Sequence, residues 1–75
     1  MRTEANHLSI EAMATNDAAT AVVYSGGKSG AGAAKRHPTD KPKPLVGQNL
    51  AIARALEDLA KQYHKQAAKE AKRNG

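Results

Sequence analysis

Three prolines, Pro38, Pro42 and Pro44, lie close together in the middle of this chain, and no proline follows them. Each proline fixes its own φ, lacks an N–H donor and disfavours the α region for the residue before it. Because neither a regular helix nor a central strand can run through such a segment, we predict an extended connector over 38–45. With 75 residues in total, the sequence on its two sides has room for one small domain.

The segment after the connector has the pattern of an amphipathic helix, which we predict over 46–73. At about 100° per residue, the apolar and basic side chains fall on opposite arcs of such a helix. The apolar arc consists of Ile52, Leu56, Leu59, Ala60, Tyr63 and Ala67, and the basic arc consists of Arg54, Lys61, Lys65, Lys69 and Lys72. Asp58 interrupts the basic arc, and Leu50 lies off the apolar one. The helix therefore offers one face for a core and another for solvent or an anionic partner.

The residues before the connector have the features of strands. Apolar and polar side chains alternate over 7–13, which indicates a half-buried strand. The segment 15–17 reads Thr-Asn-Asp, which favours a turn, and 18–24 ends in β-branched and aromatic residues, which favour a returning strand. These two segments predict an antiparallel hairpin.

A Gly/Ser-rich stretch follows the hairpin, and we expect it to form a flexible loop over 25–32. A short third strand is predicted over 33–37, so that 7–37 forms a hairpin or a three-stranded meander. The polar residues 1–6 are expected to be a flexible N-terminus. The sequence thus predicts the α+β class, with an antiparallel hairpin or meander packed against one long C-terminal helix.

The side chains available for a core are small. Of the thirty apolar residues, sixteen are alanine, and the chain has no Phe or Trp. Such a core offsets the entropy of ordering only narrowly, and small scaffolds compensate by association. We therefore expect a homodimer or a protein that depends on a partner. The absence of Cys excludes disulfides, and no apolar run reaches the roughly 18 residues of a membrane helix, so the expected location is the cytoplasm.

Two local patterns resemble sites of chemistry but lack the residues that such sites require. The tripeptide 27–29, Gly-Lys-Ser, needs a glycine five residues before it to form a phosphate-binding loop, and position 22 is valine. His7, His37 and His64 are far apart and do not have the spacing of metal ligands. No nucleophile–base pair or carboxylate pair falls on a predicted rigid frame. We therefore expect no enzyme activity, no cofactor and no metal.

The basic residues are the best candidates for function. The net charge is +5 and the pI is about 9.8, which favours a polyanionic partner. Lysine and arginine neutralise phosphates and release their counterions. The candidate nucleic-acid-binding residues are Lys28, Lys35, Arg36, Lys41, Lys43, Arg54, Lys61, Lys65, Lys69 and Lys72. The alternatives are a face that is merely solvated and a face that binds an acidic protein.

One part of the sequence resembles a known family. The residues that carry the resemblance are Arg36, Pro38, Asp40, Pro44, Val46, Gly47, Leu50, Ala51, Ala53, Arg54, Ala55, Leu56, Leu59 and Ala60. They are similar to the signature of a small actinobacterial domain of unknown function that also occurs in actinobacterial phages. The resemblance implies a hairpin or meander on one long helix, with a fold similar to double-stranded-RNA-binding domains. This chain departs from that family in being basic and in lacking the usual aromatic residue of the first strand.

Together, the basic arc and the resemblance favour a non-catalytic protein that binds structured RNA or the ribosome and modulates translation. The helix and the connector would contact phosphates without reading bases. The alternative hypothesis is a small protein-interaction module, for instance a phage-encoded modulator of an acidic host protein. That module would use the thin apolar face or Leu50 as its contact surface. No membrane contact is expected.

Overall fold

A computed structural model describes residues 7–39 and 41–74 of the chain, and in them three strands precede one helix. The strands are β1 (Leu8–Ala14), β2 (Ala18–Ser25) and β3 (Lys28–Lys35), and the helix is α1 (Pro44–Asn74). The sheet is an antiparallel meander in the order β1-β2-β3, and α1 packs across one face of it, mainly on β3 and β2. The α+β prediction is therefore confirmed. The flexible N-terminus predicted for 1–6 lies outside the described residues.

The turn between β2 and β3 corrects the flexible loop expected over 25–32. Gly26 and Gly27 alone form this turn, with φ of 56° and 79°, and β3 starts at Lys28. Positive φ at both central residues matches the strand twist of a two-residue hairpin turn, and glycine adopts it without steric cost. The third strand therefore starts five residues before the predicted one and ends at Lys35.

Strand register divides the sheet into two faces. Three rows of cross-strand partners point towards α1 and form the inner face: Ile10, Val23 and Gly30; Ala12, Ala21 and Gly32; Ala14, Ala19 and Ala34. The alternate residues, among them Met13 and Tyr24, point to the opposite, outer face. The inner face is built almost entirely from small side chains, which permits α1 to lie close to the sheet.

Close approach of the helix to β3 depends on its two glycines. A Cβ added at Gly30 would lie 2.7 Å from Leu59 N and closer to Ala55 O. A Cβ added at Gly32 would lie 2.5 Å from Ala55 N and closer to Ala51 O. Real Cβ atoms do not come so near to backbone atoms, so both positions require glycine. The helix backbone therefore packs directly against the backbone of β3.

This contact shifts the buried face of the helix from the predicted apolar arc. Ala51, Ala55 and Leu59 are buried, whereas Leu56 is 37% exposed and Ala60 is exposed. The prediction assumed that the largest apolar side chains of the helix are the buried ones. Because the helix backbone contacts the strand backbone, only small side chains fit between them. The buried core consequently holds five alanines together with Val23 and Leu59.

The helix begins two residues before its predicted start, and its C-terminal end extends beyond the sheet. It starts at Pro44 because the fixed φ and missing N–H of proline suit the first helical position. Lys43 O accepts from Val46 N and Gly47 N at 3.0 and 3.2 Å. Near the other end, Tyr63 Oη donates to Ser25 O at 3.0 Å, where β2 ends, and the remaining residues of α1 extend about 16 Å beyond. No helix in the described part of the chain is long and apolar enough to cross a membrane.

Candidate nucleic-acid interface

The guanidinium of Arg36 holds the β1–β2 turn against the start of the connector. Its Nη2 forms an ion pair with Asp17 Oδ1 at 2.8 Å, and its Nε donates to Asn16 O at 3.0 Å. Its Nη1 also donates to His37 O and Pro38 O, each at 3.4 Å. Arg36 was predicted to contact nucleic acid, and the structure gives it this internal role.

Three helix side chains, one turn apart, bond the outer edge of β3, and we call these contacts the edge ladder. The bonds run from Arg54 Nη1 to Ala33 O (2.6 Å), from Ala31 N to Asp58 Oδ2 (3.0 Å) and from Gln62 Nε2 to Ser29 O (2.5 Å). Four residues of helix rise about 6.0 Å, and two residues of strand span about 6.8 Å, so successive turns meet successive edge groups. The donor–acceptor–donor order of the side chains matches the carbonyl–amide–carbonyl order of the edge.

The edge ladder explains two features of the predicted basic arc. Arg54, the first cation of the basic arc, donates through Nη1 to Ala33 O, so this side chain lies along the edge of the sheet. Asp58 interrupts the basic arc, and its carboxylate accepts from the N–H of Ala31, which points away from β2 and needs an acceptor. Both side chains thus protect a sheet edge.

Lys28 occupies the opposite end of the sheet from Arg36. It is half-buried, and its Nζ lies 5.3 Å from the centroid of the Tyr63 ring, a cation–π distance. The same tyrosine, whose proton goes to Ser25 O, accepts a hydrogen bond from Ser25 Oγ at 3.0 Å. Lys28 therefore helps to fix α1 onto the β2–β3 turn.

The remaining seven candidate lysines form two separate groups. The connector group consists of Lys35, Lys41 and Lys43, which line a cavity of about 420 Å³ together with Val46, Gly47 and Leu50. The helix group consists of Lys61, Lys65, Lys69 and Lys72, all exposed. Measured along the axis of α1, Lys43 and Lys61 are about 27 Å apart. The structure thus places the two groups at different ends of the molecule, so they do not form one compact patch.

The helix group lies on a freely accessible part of the protein. Lys61 and Lys65 share the flank of α1 that carries Arg54, and Lys69 and Lys72 follow on the helical extension beyond the sheet. Within the described residues, none of the four ammonium groups forms an ion pair. Nor does any group of three His, Asp or Glu side chains in that part of the chain come close enough to hold a metal ion.

A family model described as Rv2632c-like matches residues 5–74. This chain belongs to the Rv2632c-like family. The match extends well beyond 36–60, where the sequence resemblance was strongest. No curated protein and no solved structure matches the chain.

The sequence did not identify the residues that hold helix and sheet together in this Rv2632c-like domain. No role was predicted for Gln62, although it completes the edge ladder. Gly30 and Gly32 were predicted to lie in a loop. The available signal was the spacing of four residues between the polar side chains Arg54, Asp58 and Gln62, which places them on one flank of the helix. Its meaning depends on which strand lies beneath the helix, and only the tertiary structure provides that information.

Proposed function

We propose that this domain is a non-catalytic cytoplasmic protein that binds structured RNA, free or in the ribosome, and thereby modulates translation. The observation that carries the proposal is the helix group. Four lysines stand exposed on a helix that extends beyond the sheet, and none of them forms an ion pair with a residue that the structure describes. Phosphates would replace water around these ammonium groups and release condensed counterions from the nucleic acid.

The chemistry of this surface favours duplex RNA over single strands. Tyr63 is engaged with Ser25 and Lys28, and Tyr24 lies on the outer face of the sheet, away from the helix group. Stacking on single-stranded bases needs accessible aromatic side chains among the cations. Recognition of duplex RNA by shape and phosphate contacts does not need them. The proposal includes the expectation that the fold of this domain is similar to that of double-stranded-RNA-binding domains.

The test is binding to a short RNA duplex, measured by fluorescence anisotropy at two salt concentrations. With about four phosphates neutralised, affinity falls about 100-fold between roughly 50 and 200 mM salt. Replacing Lys61, Lys65 and Lys69 with Glu abolishes binding, while the far-UV circular dichroism is unchanged because Glu and Lys have similar helix propensities.

The matched control reverses the same number of charges in the connector group, at Lys35, Lys41 and Lys43. We expect this variant to lose about tenfold in affinity or less, because those lysines lie apart from the helix group. Equal losses in the two variants would show that only net charge matters. Full binding by the helix variant would refute the proposal, as would a failure of the wild-type protein to bind the duplex.

A second candidate function, a protein-interaction module, is favoured by the first turns of α1. Leu45, Val46 and Leu50 are exposed there, and the last two line the cavity beside the connector group. Such a module binds its polypeptide partner mainly through these apolar side chains, so binding depends little on salt and is lost in the variant Leu50→Asp. The triple lysine variant of the helix group would leave that binding intact, so one pair of variants separates the two functions.

A further inference from the structure

The two edges of the sheet differ in how their backbone groups are satisfied. On β3, the edge ladder bonds the outward groups of Ser29, Ala31 and Ala33. Because both backbone groups of a strand residue point to the same side, the register then fixes which residues of β1 point outward. These residues are Leu8, Ile10, Ala12 and Ala14. No side chain in the described part of the chain bonds their outward N–H and C=O groups.

Apolar side chains accompany this open edge. Leu8 and Ile10 point to the inner face but lie beyond the cover of α1, and they are 54% and 44% exposed. On the neighbouring flank of the helix, Leu56 is 37% exposed and Ile52 is half-buried. We call the outward edge of β1 together with these four side chains the β1 flank. It places main-chain groups that no described side chain bonds next to large apolar side chains, on a protein whose core is mostly alanine.

Among the described residues, the β1 flank has none of the features by which natural proteins prevent edge strands from pairing. Its strand pairs one-to-one with β2 from Leu8 to Ala14, so it contains no bulge. The strand has no Pro, Lys or Arg, and its one charge, Glu11, points to the outer face. Natural proteins protect exposed edges with such residues, or cover the edge. On β3 the edge ladder provides that protection, and on β1 nothing described does.

We propose that β1 pairs antiparallel with β1 of a second copy of this chain, across a twofold axis, and joins the two sheets into one of six strands. In the favoured register, Ile10 lies opposite Ile10 of the second copy and Leu8 lies opposite Ala12. Glu11 then lies opposite Ser9. A shift that placed Glu11 opposite itself would bring like charges together on neighbouring strands. The pairing forms about six main-chain hydrogen bonds.

A second copy suits this surface for reasons of charge and symmetry. Each chain carries a net charge of +5, so two copies associate only where their lysines stay apart. The helix group and the edge ladder lie towards β3, and the β1 flank is at the opposite side of the sheet. An uncharged edge of alternating Leu, Ile and Ala is also complementary to itself under a twofold rotation. The footprint is roughly 300 to 500 Å² per protomer, which is the size of a weak, exchanging interface.

Sedimentation equilibrium tests the proposal across about 5 to 500 µM, where interfaces of this size exchange. The mass of the wild-type protein rises from 7.9 kDa towards twice that value. Ile10→Lys places a cation on the paired edge and keeps the mass at 7.9 kDa throughout. Met13→Lys adds the same charge on the same strand but on the outer face, where Met13 is 76% exposed, and it dimerises like the wild type. A wild-type protein that stays at 7.9 kDa, or equal effects of the two variants, overturns the proposal.

Cysteine cross-linking provides a second test that does not depend on a charge. The chain has no Cys, so Ile10→Cys introduces a single thiol. Directly opposed residues in a hydrogen-bonded pair have Cα atoms about 5.5 Å apart, which a disulfide spans. With oxidised glutathione, Ile10→Cys gives a covalent dimer, whereas Met13→Cys stays monomeric because its two copies lie about 20 Å apart. Cross-linking at both positions to the same extent contradicts the register, and no cross-linking at Ile10 contradicts the pairing.

Discussion

Adding one methyl group at Gly32 tests the closest contact in the fold. The Cβ of Gly32→Ala would lie 2.5 Å from Ala55 N and 2.8 Å from Arg54 Cβ, and closer still to Ala51 O. The optimal separation of non-bonded carbon atoms is about 3.5 to 4.0 Å, so α1 must move by about 1 Å. A displacement of that size forfeits a quarter to a half of the dispersion energy across the contact.

The expected cost follows from two opposing terms. Overpacking of this kind destabilises by about 3 kcal/mol, and removal of a strand glycine returns about 1 kcal/mol through chain entropy. The free energy of unfolding therefore falls by about 2 kcal/mol, a large fraction of the roughly 4 to 11 kcal/mol expected for a chain of this length. The corresponding drop in Tm is about 10 to 15 °C.

The measurement is thermal and urea denaturation followed by far-UV circular dichroism at one fixed protein concentration, since self-association would otherwise shift Tm. Gly47→Ala is the matched control, because its Cβ would meet Ala19 Cβ at an ordinary 3.6 Å. In the helix, that change stabilises by about 0.5 to 1 kcal/mol. If Gly32→Ala is as stable as the wild type, the helix does not rest on the strand backbone and the packing argument is wrong.

Two further predictions concern single hydrogen bonds. Asp58→Ala removes the acceptor for Ala31 N–H and lowers stability by about 1 kcal/mol in urea denaturation, whereas Asp58→Asn, which keeps an acceptor oxygen, costs less than half of that. Tyr63→Phe removes the bonds to Ser25 and lowers Tm by about 4 to 8 °C, whereas Tyr24→Phe on the outer face changes it little. Equal effects within either pair would contradict the assigned bond.

The path of the chain was predictable where local chemistry decides it. The proline cluster separates strands from helix, the alternation over 7–13 marks β1, and Thr-Asn-Asp marks the first turn. The start of the helix was misplaced by two residues because Pro44 was taken as an obstacle rather than as the first helical residue. The Gly/Ser-rich stretch was misassigned because glycine favours a loop when nothing is known of its neighbours.

The candidate interface was predictable only in part. Periodicity placed Lys61 and Lys65 on one helical flank, and the structure leaves them exposed. The same periodicity included Arg54, whose Nη1 donates to Ala33 O in the structure. Whether a cation faces solvent or a strand edge depends on the position of the sheet, which the helix sequence does not contain.

By itself, the sequence determined the order of strands and helix, the two-sided character of that helix and the net positive charge. Propensity, turn chemistry and periodicity act over a few residues, so they are contained in the linear order. Only the tertiary structure decided that Gly30 and Gly32 are contact points and that Arg54, Asp58 and Gln62 bond the edge of β3. The bonds at β3 join residues 21 to 33 positions apart in the chain at distances of 2.5 to 3.0 Å, and only the packing of the helix on the sheet brings such residues together.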